Sequence, residues 1–184
     1  MKTMLLHSCC APCSSSVLER LVADYDVTVL YYNPNIYPKE EYEKRKAEQI
    51  RLIKEVYPKV KFLDCDYDGE EYFKCVSGLE SEKEGGARCV KCFKLRMGYT
   101  AQKAKELGFD CFTTTLSVSP HKNSKLLNEI GEELSRQFDI EYIVSDFKKK
   151  DGYLRSIQLS KEYNLYRQNY CGCKFSMWFL NENK

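Results

Sequence analysis

The chain has 184 residues, 10 of them cysteine, and 29 basic against 27 acidic side chains leave a net charge of +2. That length predicts a single α/β domain over 1–184, with a core large enough to need no disulfide staples. The near-neutral balance excludes a histone-like polycation, the 43% apolar fraction excludes a disordered chain, and no apolar run approaches the ~20 residues that span a bilayer.

Lys2–Ser8 reads as a buried strand that runs into a cysteine loop. Its apolar stretch is too short for the h-region of about 7–15 residues in a signal peptide, which predicts a cytoplasmic protein with no membrane partner. Ser14, Ser15 and Ser16 are expected to cap a helix carrying Val17, Leu18, Leu21 and Val22. Val27–Tyr32 is a second strand, closed by the Asn33-Pro34-Asn35 turn. Lys39–Val56 is a charged amphipathic helix with Tyr42, Ile50, Ile53 and Val56 inward, and Val60–Cys65 is a third strand. Asp66–Gly86 is acidic, with a short helix near Glu70–Val76. Cys89–Leu107 is a long helix, Asp110–Leu116 a fourth strand and Ser117–Asn123 a polar loop. Leu126, Leu127, Ile130, Leu134 and Phe138 form one helical face, Ile140–Val144 is a fifth strand, and a helix near Tyr153–Tyr163 precedes a Cys-Gly-Cys segment.

Strand alternating with helix predicts a doubly wound parallel sheet with a cysteine-containing C-terminal segment. Ligands of such sheets sit beyond the carboxyl ends of the strands. The loops after all five strands, including Cys9–Cys13, Asn33–Pro38 and Ser117–Lys122, therefore share one edge.

Cysteines in a reducing compartment point to metal ligation or redox chemistry. Cys10-Ala11-Pro12-Cys13 and Cys89-Val90-Lys91-Cys92 are Cys-x-x-Cys units. Residues three apart at a helix start share a face, so two such units suit zinc or an iron–sulfur cluster. Cys10 and Cys13 also fit a thioredoxin-like dithiol at a helix N-terminus. Cys171-Gly172-Cys173 would close a small, readily reduced ring on oxidation, which suits an electron-carrying pair. Cys75 and Cys111 read as packing, and His7 as a buried histidine on the first strand. Tyr166-Arg167-Gln168-Asn169-Tyr170, with basic clusters at Lys44–Lys46, Arg88–Arg96 and Lys148–Lys150, suits stacking on a base and gripping phosphates. No Gly-rich phosphate loop is present.

His7-Ser8-Cys9-Cys10-Ala11-Pro12-Cys13, Tyr32–Ile36 with Tyr42 and Arg45, Glu84–Cys89 with Cys92, Thr114-Thr115-Leu116 with Ser119-Pro120, Asp146–Lys149 and Tyr166–Cys173 together resemble the QueH-type epoxyqueuosine reductases. The resemblance covers almost the whole chain; His121 departs from it, standing where a tyrosine is expected. It implies a fold similar to the adenine-nucleotide α-hydrolase or PP-loop group. It also implies reduction of epoxyqueuosine to queuosine at the wobble position of tRNA, the last step of that modification, with electrons from an unidentified donor. Carried over, Cys9, Cys10, Cys89 and Cys92 look like ligands of a [4Fe-4S] cluster, and Cys171 and Cys173 like the redox pair.

An additional iron ion held by Asp64, with Asp66 as the alternative, would serve as a Lewis acid for the leaving oxygen. Asp146 and Tyr170 are the candidate proton donors. Two other functions are carried alongside: a zinc-stabilised RNA-binding module and a thioredoxin-like thiol-disulfide reductase.

Overall fold

The computed structural model describes residues 1–177. Five strands form one sheet in which every pair is parallel: β1 (Lys2–His7), β2 (Tyr25–Leu30), β3 (Lys61–Leu63), β4 (Cys111–Thr114) and β5 (Glu141–Tyr142), in the order β3-β2-β1-β4-β5. Parallel strands need long crossovers, and helices supply them: α1 (Ala11–Leu21), α2 (Lys39–Val56), α3 (Gly69–Cys75), α4 (Ala87–Glu106), α5 (Ser124–Phe138) and α6 (Gly152–Glu162).

Alternating side chains divide the core into two layers. Leu5, Leu30 and Phe112 pack with Phe93, Met97 and Ala101 of α4 and Leu127 and Ile130 of α5. Their neighbours Met4, Leu6, Val27, Val29 and Cys111 point the other way, onto Val17, Leu18 and Leu21 of α1 and Ile53 of α2. Helices thus cover both faces, as the continuous apolar strands require. Cys111 is fully buried in the second layer, as expected of a packing cysteine.

Three local expectations change. Ser14–Ser16 do not cap α1; they lie inside it and are buried, because Pro12 starts the helix earlier, in the first turn where its missing N–H costs nothing. Ser14 and Ser15 instead donate to the carbonyls of Ala11 and Pro12. In α2 the inward row is Tyr42, Arg45, Gln49, Leu52 and Ile53; Ile50 and Val56 lie at its margin. The fourth strand stops at Thr114, where a 3-10 turn, Thr115–Val118, takes over, with Thr114 Oγ1 accepting from Leu116 N–H.

The chain moves from β1 outward to β3, then crosses to β4 and β5 on the other side. The crevice beyond the carboxyl ends of β1 and β4 is therefore the switch point where such sheets place ligands.

Candidate active site

A cavity of about 490 Å³ opens at that crevice. Cys9 reaches it from the β1–α1 loop and Cys13 from the first turn of α1, Leu116 and Lys122 from the segment after β4, and Gln168, Tyr170 and Cys171 from the segment after α6. Arg45, Arg96 and Arg167 also line it. Three well-separated stretches of sequence thus meet on one wall.

The β1 loop is held from below. His7 is fully buried, with Nδ1 2.9 Å from Thr114 Oγ1 and Nε2 3.1 Å from the Tyr32 carbonyl. Burial, helped by the nearby Arg96 charge, pushes its pKa down to about 3, so it is neutral. Above it, Cys9 N–H donates to Thr115 Oγ1 at 3.3 Å, and the Cys9 and Cys10 sulfurs are 3.8 Å apart. Among the described residues, the sulfurs of Cys9, Cys10 and Cys13 all lie within 4.8 Å of one another. They share protons unevenly. Hydrogen bonds from Cys10 and Cys13 hold the Cys9 thiol well below its ordinary range, and hydrogen bonds to Cys10 and Cys9 push Cys13 well above it.

Cys89 and Cys92 stand on the first turns of α4, outside that triad. Cys89 Sγ accepts from Gly85 N–H at 3.2 Å. Cys92 is buried, which pushes its thiol up to about 11 against the pull of Arg96. Arg96 links the two cysteine loops. Its Nη1 lies 3.8 Å from Cys92 Sγ and its Nη2 donates to Asn33 Oδ1 at 2.7 Å. Asn33 Nδ2 in turn donates to the Ser8 carbonyl at 2.8 Å. The guanidinium is 3% exposed, its Nε has no partner, and no carboxylate pairs with it among the described residues. A buried cation is costly unless it is compensated, and the groups whose charge would favour this one are the sulfurs of Cys92, Cys9 and Cys171.

The Cys171–Cys173 segment is docked onto the loop after β2. Tyr37 N–H donates to the Gly172 carbonyl at 2.8 Å, and Ile36 pairs with Cys173 in an antiparallel bridge. Buried Arg45 donates to the carbonyls of Tyr170 and Cys171 at 3.2 Å each while Glu41 holds its Nε at 2.7 Å. Gly172 sits at φ +106°, where a Cβ would come within 2.8 Å of Ile36 Cγ1. All ten cysteines are free thiols. The pair is asymmetric: Cys171 faces the cavity, whereas Cys173 is 5% exposed in an apolar layer with Tyr72, Cys92 and Phe175. Hydrogen bonds from Cys171 and Tyr72 outweigh burial and bring the Cys173 thiol down to about 6; Cys171 is pushed well above its usual range.

The model of the family described as "Epoxyqueuosine reductase QueH" matches residues 4–178. The chain belongs to the QueH family. A QueH epoxyqueuosine reductase of Streptococcus pyogenes serotype M1 is 47% identical over 178 residues, covering 95% of this chain and 70% of that protein. Those of Staphylococcus aureus strain Mu50 (42%, covering 94% and 75%) and Thermotoga maritima (36%, covering 96% and 91%) are also similar. The crystal structure of a predicted subunit of tRNA methyltransferase from Methanocaldococcus jannaschii superimposes with a TM-score of 0.55 at 14% identity, over 88% of this chain and 75% of that one, a likeness of fold alone.

Of the remaining residues singled out in this QueH-family sequence, Tyr170 lines the cavity, but its O–H donates to the Tyr37 carbonyl at 2.7 Å. Asp146 lies outside the cavity lining. Burial opposes its charge, yet the Ser124 hydroxyl, Lys148 and Lys149 outweigh burial and hold the carboxyl below its usual range. An ionised, triply held carboxylate is a poor proton donor. Asp64 also stands apart. It lines a second recess with Cys65 and Tyr99, and its carboxylate pairs with Lys46 at 2.6 Å. It does not fit an iron site beside the cavity thiols, and neither does Asp66, which lines the same second recess.

Lys122 and Tyr72 are site residues that sequence reasoning did not single out, and Arg96 and Gln168, read there as contacts to phosphate and base, instead meet cysteine sulfurs. Gln168 Nε2 donates to Cys10 Sγ at 3.0 Å, while its Oε1 is buried and unpartnered. Tyr72 O–H is 2.9 Å from Cys173 Sγ. Their one sequence signal was position: Lys122 closes a loop assigned to the shared sheet edge, and Gln168 lies within the Tyr166–Tyr170 run.

Proposed function

We propose that this chain reduces the epoxide of epoxyqueuosine in tRNA to the alkene of queuosine, with the Cys171/Cys173 dithiol supplying the electron pair. The observation that carries this reading is the convergence of Cys9, Cys13 and Cys171 with Arg45, Arg96 and Lys122 on one switch-point cavity, in a QueH-family chain. The chemistry balances. An epoxide takes up two electrons and two protons to give an alkene and water, and oxidation of one dithiol to a disulfide releases both.

In this reading Cys9, Cys10, Cys89 and Cys92 hold a [4Fe-4S] cluster. Their surroundings fit thiolate ligands: Gln168, Gly85 and Arg96 aim N–H groups at Cys10, Cys89 and Cys92, and among the described residues no carboxylate neutralises Arg96. N–H donors of this kind tune cluster potentials. A multinuclear cluster spreads its ligands wider than a single ion does, so the tight Cys9–Cys10–Cys13 group is compatible with Cys13 standing beside the ligands. When bound, such a cluster supplies electrons one at a time from an external donor.

Arg167 and Lys83 give the cavity rim positive charge that suits an anticodon backbone, and Tyr170 presents an aromatic ring for a base. Among the described residues no helix is long and apolar enough to cross a membrane. A tRNA substrate supports a cytoplasmic location.

The test is anaerobic purification followed by reaction with dithionite and tRNA carrying epoxyqueuosine. The reading expects a brown, iron-containing protein that yields queuosine on nucleoside analysis, and loss of multiple turnover in Cys171→Ser and Cys173→Ser. A colourless zinc protein that binds tRNA without converting it would overturn the reading in favour of an RNA-binding module. A metal-free protein that reduces disulfides through Cys10 and Cys13 would replace it with a thiol-disulfide reductase.

A further inference from the structure

Breaking the epoxide places negative charge on its oxygen, and a catalyst needs a donor aimed at that charge. Neither acid expected from the sequence is free to serve. Asp146 lies outside the cavity, held by Ser124, Lys148 and Lys149, and the Tyr170 hydroxyl is committed to the Tyr37 carbonyl.

The cations of the cavity divide in the same way. The guanidinium of Arg45 is bound to Glu41 and two carbonyls, that of Arg96 to Asn33 and Cys92, and that of Arg167 to Ser160 Oγ. Lys83 is exposed at the rim. Lys122 differs from all of these. It is half-buried on the loop that follows Thr115–Val118, at the carboxyl end of β4 and so at the switch point. Among the described residues its ammonium donates no hydrogen bond and pairs with no carboxylate. It lines the same cavity as Cys9, Cys13 and Cys171, and the charges of those three thiols act on it.

We infer that Lys122 is a catalytic residue, its ammonium meeting the negative charge that develops on the epoxide oxygen beside Cys171. This rests on the reductase reading above. In the reaction both carbon–oxygen bonds break and a carbon–carbon π bond forms. The electron pair comes from the Cys171/Cys173 pair, which becomes a disulfide; the Cys171 thiol gives one proton, water of the medium gives the second in place of the one Cys173 has already lost, and both leave with the oxygen as water. Lys122 donates a hydrogen bond throughout and ends in the state in which it began, so no further oxidant or reductant enters. A phosphate anchor is the competing role for a cavity lysine. Its place among the thiols, rather than at the rim with Lys83, favours the reacting atoms.

The experiment compares wild type, Lys122→Met and Lys122→Arg as anaerobic, iron-loaded, pre-reduced proteins. It measures the single-turnover rate at saturating epoxyqueuosine-tRNA, the Kd for the same tRNA, and iron content. Lys122→Met is expected to slow the saturated rate by about 100- to 1000-fold, the cost of removing one oxyanion donor. Kd should stay within about threefold and iron content unchanged, and Lys122→Arg should regain at least about tenfold over Met. A Met variant at wild-type rate overturns the inference. So does a weakened Kd with the saturated rate intact, which makes Lys122 a phosphate anchor, or loss of iron in both variants, which makes it a support for the thiols. A wild-type protein that converts no epoxide brings down the reductase reading and this inference together; wild-type conversion with an unaffected Met variant removes only the latter.

Discussion

Tyr72 places its hydroxyl 2.9 Å from Cys173 Sγ, inside an apolar layer shared with Val76, Cys92 and Phe175. The two residues are 101 positions apart, so the contact ties the short helix α3 to the C-terminal segment. It also breaks the symmetry of the Cys171/Cys173 pair: Cys173 is the sulfur that carries charge, and Cys171 the one that meets the cavity.

The first prediction follows from that asymmetry. Hydrogen bonds from Cys171 and Tyr72 bring Cys173 down to about 6. Its thiolate is therefore present at neutral pH and lost as pH falls through that value. Alkylation at Cys173, followed by mass spectrometry over a pH series, should show its inflection near pH 6. Tyr72→Phe removes one hydrogen bond to a charged group, worth about 1.5–3 kcal/mol, and should raise the inflection by about one to two units. An unmoved inflection in Tyr72→Phe would leave Cys171 and the backbone N–H groups of Phe175 and Ser176 as the stabilisers.

The ligand set gives a second prediction. Geometry gathers Cys9, Cys10 and Cys13, whereas the family resemblance implies Cys9, Cys10, Cys89 and Cys92. Single serine substitutions separate these. Cys89→Ser and Cys92→Ser should lose most iron and the brown colour under anaerobic purification, and Cys13→Ser should keep both. The reverse pattern would assign the metal to the β1 loop alone.

Much of this architecture was legible in the residues, because apolar strand runs and helical periodicity obey local rules. The five parallel strands, their shared edge and the cysteine loops follow from such patterns. The site is legible only in part, because its assembly depends on contacts between distant stretches. Nothing local to Asp146 foretells that Ser124, on another element, joins the neighbouring Lys148 and Lys149 in holding its carboxylate, and nothing local to Asp64 says that Lys46 turns it into another recess. Arg96 belongs to a basic cluster that reads as gripping phosphates, yet it is buried against Cys92 and Asn33. Ser14–Ser16 misled for the opposite reason: serine is a good cap, but Pro12 had already started the helix.

Gly172 carries the third prediction. At φ +106°, with a built Cβ 2.8 Å from Ile36 Cγ1 and 3.1 Å from Arg45 Nη1, alanine meets both backbone strain and crowding. Gly78 also has a positive φ, +83°, but open space around it. Gly78→Ala should cost only the conformational penalty of about 1–3 kcal/mol. Gly172→Ala should cost more in denaturant melts and lose the Tyr37–Gly172 backbone bond, seen as faster amide exchange at Tyr37. Equal costs at the two glycines would show that the Cys171–Cys173 segment repacks easily.

Arg45 and Glu41 provide the fourth. Arg45 is 2% exposed, and its one guanidinium serves Glu41 and the carbonyls of Tyr170 and Cys171. Glu41 also accepts from the Tyr166 hydroxyl at 3.1 Å, so the pair fastens both ends of the segment that carries the dithiol. Arg45→Met removes one partner of a buried ion pair and leaves a carboxylate facing unpaired carbonyls, a loss of about 3–5 kcal/mol. Glu41→Gln keeps the hydrogen-bond acceptor but loses its charge and should cost less. Because the two groups are in contact, the double variant should fall short of the summed single losses by about 1–3 kcal/mol. Anaerobic urea melts of the four proteins measure this. Additive losses would mean that Arg45 holds the Tyr170 and Cys171 carbonyls independently of Glu41, with the clamp resting on the backbone alone.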